Sequence, residues 1–161
     1  MRESLPTDTE RARVIIFPIA NYLFALPMKA VLKISPSPPE LSEGFSEVGL
    51  LELEGETILL LNLDGLLSEE KSTWQTTQFL ILVSDQRGQL CGIPVEDLPN
   101  MIDLSLLNIQ PLPKSSRQSP LSRLSRYVAL RQSDNQKKPI FLLDIALAIQ
   151  ATQSQLEVEE W

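Results

Sequence analysis

The sequence predicts a mainly β protein with two small five-stranded barrels, which are related by an internal repeat and followed by one short C-terminal helix. Two observations carry this prediction. The apolar residues fall in short runs separated by Pro, Gly, Asn or Ser, a spacing typical of strands and turns. These runs form two groups of five, and segments of the second group match segments of the first. A chain of 161 residues can bury about 70% of its unfolded surface, so a real core is available.

The ten predicted strands fall into two groups of five along the chain. Leucine favours helices by propensity, but these runs are too short for stable helices and are bounded by turn residues, so we predict strands. The first five are Arg13–Ala20, Tyr22–Pro27, Val31–Ser35, Val48–Glu54 and Thr57–Leu63. The second five are Gln78–Val83, Gln89–Val95, Asn100–Leu104, Arg126–Gln132 and Pro139–Leu143.

The C-terminal segment Leu142–Gln153 is the exception to this pattern. Asp144 stands before Ile145, Leu147 and Ile149, and it can accept hydrogen bonds from the first free N–H groups of a helix. We therefore predict a short helix capped by Asp144.

The remaining segments are predicted to be loops and ends. Proline-rich Ser35–Gly44 and Pro111–Pro120 are typical of exposed loops. We expect a flexible N-terminus over residues 1–12, one domain over 13–150 and a tail over 151–161. Within the domain, the first barrel covers about 13–70 and the second about 76–150, and strands can be exchanged between the two barrels.

The internal repeat is seen when Leu23–Ile34 is set over Leu90–Met101, a constant offset of 67 residues. Apolar residues then match apolar ones, and small Ala25 matches small Gly92. A second correspondence sets Ile58–Leu63 over Ile140–Ile145, with Asn62 over Asp144. Closing each five-stranded unit into a barrel removes exposed sheet edges, and units this small should pack on each other. A groove between the barrels follows.

Composition excludes several classes of protein. Apolar residues make up 43% and charged residues 22%, which is ordinary for a soluble protein. No apolar run approaches the roughly 20 residues of a membrane helix, and the N-terminus has no signal-peptide core. We expect a cytoplasmic protein that does not insert into membranes.

Catalytic and metal chemistry are not favoured. The chain has no histidine, which is the commonest general base and metal ligand. Its single cysteine, Cys91, excludes an internal disulfide and is expected to be a small buried hydrophobe. Carboxylates such as Asp64, Asp85, Asp103 and Asp144 are not spaced as a catalytic pair. We expect neither catalysis nor a cofactor.

Charge is segregated along the chain, although the net charge is -7. Nine carboxylates and no basic residue lie between Glu40 and Glu70, whereas five basic residues and no acid lie between Lys114 and Arg131. These stretches are either two solvated faces or complementary patches that orient partners. The acidic balance disfavours nucleic acid as a partner.

Four segments together resemble the CheW family, the adaptor proteins that couple receptors to a histidine kinase in chemotaxis-type signalling. The resemblance spans about residues 13–150 and rests on the order and spacing of the four segments together. The segments are YLFALPMKAVLKI, VGLLELEGETILLLNLDGLL, GQLCGIPVEDL and PIFLLDIALAI.

This resemblance implies two SH3-like five-stranded barrels and a noncatalytic function. One face would dock the regulatory domain of a CheA-type histidine kinase, and the groove would receive the cytoplasmic tip of a methyl-accepting receptor. The pathway would be chemotaxis-like or would control pilus motility, as in phototaxis or twitching. Where the family has Arg before a hairpin glycine, this chain has Glu54, and where the family has Val-Asp it has Val95 and Glu96.

Candidate partner-binding residues follow from the resemblance and from the charge pattern. Glu54 should change which partner is accepted more than how stable the fold is, because like charges at an interface cost more than an exposed ion pair contributes. Gly55 is expected to serve the turn through a positive φ. The candidates are Val31, Ile34, Glu52, Glu54, Gly55, Glu56, Glu96, Arg123 and Arg126.

An alternative function is an SH3-like or OB-like barrel that binds RNA or another oligomeric ligand. Its surface would be the basic segment 114–131, with Tyr127 as a stacking residue.

Overall fold

The computed structural model describes residues 10–38, 49–67, 77–113, 119–133 and 136–159, and these form eleven strands and two α-helices. The strands are β1 (Arg11–Ile19), β2 (Tyr22–Pro27), β3 (Val31–Pro36), β4 (Leu50–Leu53), β5 (Glu56–Leu60), β6 (Phe79–Ser84), β7 (Leu90–Val95), β8 (Asn100–Ser105), β9 (Ile109–Pro111), β10 (Ser125–Ser133) and β11 (Gln136–Leu143). The helices are α1 (Leu63–Leu67) and α2 (Ile145–Glu159). The mainly β fold is confirmed.

All ten predicted strands are present, and the differences lie in short or terminal segments. The three-residue strand β9 was not predicted, and Leu61–Leu63, predicted to end a strand, instead leads into α1. The predicted loops fall partly on residues 39–44 and 114–118, which lie outside the described residues. Among the residues described, no helix is long and apolar enough to span a bilayer.

The strands form two curled sheets. The larger sheet has the order β8-β1-β2-β11-β10-β9, and the smaller has the order β3-β6-β7-β5-β4. Each sheet therefore contains strands from both halves of the chain. Neighbouring strands are antiparallel except for two parallel pairs, β2 with β11 and β5 with β7.

The pairing follows the internal repeat. The repeat makes β1, β2, β3, β4 and β5 the counterparts of β6, β7, β8, β10 and β11. Exchanging every strand of the smaller sheet, β3-β6-β7-β5-β4, for its counterpart gives β8-β1-β2-β11-β10, the first five strands of the larger sheet.

The register of the parallel pairs agrees with the same repeat. Ala25 lies opposite Leu142, and Gly92 lies opposite Leu60. Ala25 and Gly92 differ by the offset of 67, whereas Leu60 and Leu142 differ by the second offset, 82. The repeat predicted from sequence is thus confirmed, residue by residue, in the strand pairing.

Three apolar clusters form the core of the part of the chain that the structure describes. One small cluster lies within the larger sheet and contains Ile16, Ala25 and Ile140, and a second lies within the smaller sheet and contains Ile58 and Leu80. The largest cluster joins both sheets and both helices; its buried members include Phe17, Phe24, Leu61, Ile81, Val83, Cys91, Val128, Phe141 and Ile149. Each sheet is thus an SH3-like barrel with its own interior, and the shared cluster holds the two barrels together.

Polar side chains cap both helices at equivalent positions. The Gly65 N–H donates to Asn62 Oδ1 at 3.1 Å before α1, and the Leu147 N–H donates to Asp144 Oδ1 at 3.0 Å before α2. The predicted cap at Asp144 is confirmed. The C-terminal helix is longer than predicted and runs to Glu159, because no Gly or Pro follows Asp144 to stop it.

Candidate protein-binding surfaces

The β4–β5 hairpin carries the acidic candidates. Leu53 pairs with Glu56 across a two-residue turn, in which Glu54 has φ 54° and Gly55 has φ 83°. Two consecutive left-handed residues define a type I′ turn, which matches the twist of the flanking strands. The positive φ expected at Gly55 is confirmed. The positive φ of Glu54 was not predicted, since this conformation is unfavourable for a residue with a Cβ.

The carboxylates of this hairpin project into solvent. Glu52, Glu54 and Glu56 are exposed, whereas Leu51 is buried in the core of the smaller barrel. The strand therefore alternates as the sequence predicts for a half-buried strand. The three negative charges of this hairpin are all open to solvent, with Glu52 on the face of Thr57 and Glu56 on the opposite face, that of Leu53.

An ion pair joins the hairpin to β3. Lys33 Nζ lies 3.8 Å from Glu54 Oε2, and both side chains are more than half exposed. Because β3 and β4 are the two end strands of the smaller sheet, this contact crosses the seam at which the sheet curls back on itself. The pair brings a candidate hairpin residue next to the strand that carries Val31 and Ile34.

Val31 and Ile34 lie on β3, at one edge of the smaller sheet. Both side chains are half-buried and pack against the cluster shared by the two barrels. The pairing of β3 with β6 shifts between Val31 and Lys33, which leaves Leu32 as a bulge residue that is 56% exposed. An apolar strip thus reaches the surface at this edge.

The other candidates lie in separate places. Glu96 is exposed and directly follows β7. Arg123 is exposed at the end of a short 3-10 helix, Pro120–Arg123. Arg126, on β10 of the larger sheet, lies 3.5 Å from Asp144 Oδ2, so its charge faces the residue that caps α2. The Lys33–Glu54 contact therefore groups the hairpin with β3 in the smaller sheet, whereas Arg126 lies in the larger sheet beside Asp144.

Sequence reasoning did not single out Lys33, nor did it find the exposed apolar residues Leu98 and Met101 near and on β8. The internal repeat contains a signal for the last two. Val31 and Ile34 correspond to Leu98 and Met101 at the offset of 67, and the first pair is half-buried while the second pair is exposed.

Three of the carboxylates considered for catalysis have structural partners. Asp85 Oδ1 accepts hydrogen bonds from the backbone N–H groups of Arg87 and Gln89. Asp103 pairs with Arg13 at 3.2 Å, and Asp144 caps α2. Within the described ranges, no group of three or more acidic, Cys or His residues is placed to hold a metal ion.

Cys91 is fully buried in the shared core. Burial raises the pKa of its thiol to about 11, and the nearby Asp85 carboxylate contributes in the same direction. The prediction of a buried, hydrophobe-like cysteine is confirmed, since a thiol held in its neutral form is a poor nucleophile.

The similarity of this chain to known proteins indicates its family. The family model described as "CheW-like domain" matches residues 13–153. The crystal structure of the scaffolding protein TtCheW from Thermoanaerobacter tengcongensis superposes with a TM-score of 0.59 at 20% sequence identity, covering 84% of this chain and 90% of that one. A search of curated proteins gives no significant match.

Proposed function

Because the chain belongs to the CheW-like domain family, we propose that it is a noncatalytic adaptor that couples a chemoreceptor-type protein to a CheA-type histidine kinase. The observation that carries the proposal is the match of the family model over residues 13–153, which spans both barrels. A noncatalytic function agrees with the roles of Asp85, Asp144 and Asp103, which serve a turn, a helix cap and an ion pair. The pathway we propose is a chemotaxis-like or pilus-motility system of the cytoplasm.

The β4–β5 hairpin is proposed to contact a partner through its carboxylates. Where the family has Arg, Glu54 presents a negative charge with its side chain 77% exposed. Charge across an interface sets partner choice more than it sets raw affinity, because like charges brought together cost several kcal/mol. We therefore expect the cognate partner to place a basic residue opposite Glu54.

The edge of β3 is proposed to receive the receptor tip. Val31 and Ile34 are half-buried between the barrels, and the neighbouring Leu32 is exposed. A helical receptor tip would cover this apolar strip, which is a common mode of helix recognition.

Titration calorimetry with the regulatory domain of the cognate kinase tests the proposal. We expect binding in the micromolar range for the wild-type chain and a tenfold or larger loss, about 1.4 kcal/mol, for Glu54→Arg. Glu10→Arg, an equal charge change at another exposed position, is the matched control and should bind as the wild type does. No detectable binding of the wild type at high micromolar concentration would remove the proposal.

The receptor surface is tested with the cognate receptor tip. We expect Val31→Ala/Ile34→Ala to weaken binding by about tenfold, because the contact is apolar. Leu98→Ala/Met101→Ala changes the repeat-equivalent positions of the other barrel and should bind normally. Equal binding by both variants would contradict a receptor site on β3.

The RNA alternative has less support from the structure. Arg126, which stands beside Tyr127, pairs with Asp144, so part of its charge is already neutralised within the molecule.

A further inference from the structure

We propose that Lys33 changes its ion-pair partner during assembly, and that this exchange couples kinase binding to receptor binding. In the chain alone, Lys33 is paired with Glu54 of the β4–β5 hairpin. A basic residue of the kinase replaces Lys33 at Glu54, and the released ammonium group pairs with a carboxylate of the receptor. The inference rests on the proposed function, because it needs both of the proposed surfaces.

Lys33 lies between these two surfaces. Its neighbour Ile34 belongs to the apolar strip at the edge of β3, which is the proposed receptor surface. Its Nζ atom lies 3.8 Å from Oε2 of Glu54, which belongs to the proposed kinase surface. Of the ion pairs found among the described residues, this one alone connects the two surfaces. A change of partner at Lys33 therefore alters both surfaces together.

The contact between Lys33 and Glu54 is one that other groups can replace. The side chains are 51% and 77% exposed, and the distance of 3.8 Å is too long for a direct hydrogen bond. An exposed pair of this kind contributes little to stability, so the fold tolerates its loss. The lysine ammonium group is carried on a flexible four-carbon stem, which can turn to a new partner without movement of the backbone.

Competition for Glu54 determines the sign of the coupling. Two cations beside one carboxylate repel each other, so a basic kinase residue at Glu54 weakens the attraction between Glu54 and Lys33. A receptor carboxylate that pairs with Lys33 likewise leaves Glu54 open to the kinase. Each partner therefore removes a contact that competes with the other, and the coupling is positive and reciprocal.

The charge beside the β3 strip favours a receptor carboxylate. Lys29 is exposed in the short 3-10 helix Met28–Ala30, which leads directly into β3. Residues 28–36 contain two lysines and no acidic residue. A receptor segment that places apolar side chains on the strip and a carboxylate beside them is complementary to this edge.

Calorimetric titration of the full chain with a fragment that contains the cytoplasmic tip of the cognate receptor tests the proposal. The titration is run without and with a saturating amount of the kinase regulatory domain. We expect the kinase domain to tighten receptor binding by about two- to fivefold, the range that one exposed ion pair supports. In Lys33→Met, which removes the charge and keeps an apolar stem, this factor should fall to about one. Lys29→Met removes the same charge from a neighbouring exposed position and should keep the factor of the wild type.

A second variant tests the exchange in the absence of the kinase. Glu54→Gln releases Lys33, so the receptor fragment alone should bind this variant about two- to fivefold more tightly than the wild type. Glu52→Gln removes another exposed carboxylate of the same hairpin and should bind the receptor fragment as the wild type does.

The outcomes separate this inference from the proposed function. If both partners bind but neither the kinase domain nor Glu54→Gln changes the receptor affinity, the inference alone is overturned. Coupling of the same size in Lys33→Met as in the wild type overturns it as well. If neither partner binds the wild-type chain, the proposed function is wrong and the inference is overturned with it.

Discussion

At the scale of single residues, the turn of the β4–β5 hairpin combines a favourable residue with an unfavourable one. Gly55 takes φ 83° without a steric cost, whereas Glu54 takes φ 54° despite its Cβ. The positive φ of Gly55 could be predicted from residue type alone, because an isolated glycine between two strands marks such a turn. The positive φ of Glu54 follows from the two-residue length of the turn, which becomes known only when Leu53 is seen to pair with Glu56.

We predict that Gly55→Ala lowers the free energy of unfolding by about 1–2 kcal/mol, because alanine is unfavourable at positive φ. No atom lies within 4 Å of the position that the new Cβ would occupy, so the cost arises from the backbone alone. Gly55→Asn is the control and should cost less, since asparagine tolerates this conformation. Urea denaturation measures both variants, and equal stabilities of Ala, Asn and Gly would contradict the assigned turn.

Cys91 gives a prediction about pH. Its folded-state pKa is raised from the ordinary 9.0 to about 11, so the neutral thiol is favoured by folding. This contribution to stability is complete below pH 9 and is lost as the pH rises toward 11. We expect the unfolding free energy to fall more steeply over this interval in the wild type than in Cys91→Ala. Parallel pH profiles from denaturant titrations would contradict the burial of this thiol.

At the scale of elements, the helix caps show how a short polar side chain ends a strand and starts a helix. Asn62 and Asp144 stand at the offset of 82 and bond to the third residue beyond them, Gly65 and Leu147 respectively. The same transition from strand to capped helix therefore occurs after β5 and after β11. After Asp144 the chain continues for four turns of helix, whereas α1 ends at Leu67.

We expect Asp144→Ala to reduce the free energy of unfolding by about 1 kcal/mol, since the cap of α2 is lost. Asp144→Asn keeps a capping oxygen but removes the charge that faces Arg126, and it should stay within about 0.5 kcal/mol of the wild type. Thermal unfolding followed by far-UV circular dichroism compares the two. Equal losses for the two variants would show that the ion pair matters more than the cap, because both variants lack the charge that faces Arg126.

The strands were predictable because apolar runs between breakers are local signals. Strand β9 escaped prediction because Ile109–Pro111 is too short to show a period. The helix α1 escaped because its five residues continue the apolar run of β5, and only the Asn62 cap marks the change. Pro18 is tolerated inside β1 because the pairing of β1 with β8 ends at Ile16, before the proline.

At the scale of the whole molecule, the two halves of the chain are interleaved. Strand β3 pairs with β6, and β8 pairs with β1, so a sheet cannot be completed by one half. The largest apolar cluster also takes buried residues from both halves. We infer that the domain folds as one cooperative unit.

Separate expression of residues 13–70 and 76–150 tests this inference. We expect each half alone to lack a cooperative unfolding transition, because its sheets and core are incomplete, and we expect the mixed halves to regain one. Circular dichroism during thermal unfolding gives the readout. A cooperative transition in either isolated half would contradict interleaved folding.

The candidate surfaces were less predictable than the fold. Charge runs in the sequence correctly indicated an acidic hairpin, since Glu52, Glu54 and Glu56 are exposed. They did not indicate that Lys33 reaches Glu54, because β3 and β4 meet only when the sheet curls. They also did not indicate that Asp144 faces Arg126 in the fold.

We propose that this CheW-like domain recognises other proteins through the acidic hairpin and the β3 edge. Backbone NMR spectra recorded during titration with the regulatory domain of the cognate kinase and, separately, with the receptor tip test it most directly. We predict that the largest shifts fall on residues 52–56 with the kinase domain and on residues 31–34 with the receptor. No shifts with either partner, or shifts confined to α2 and β10, would contradict the claim.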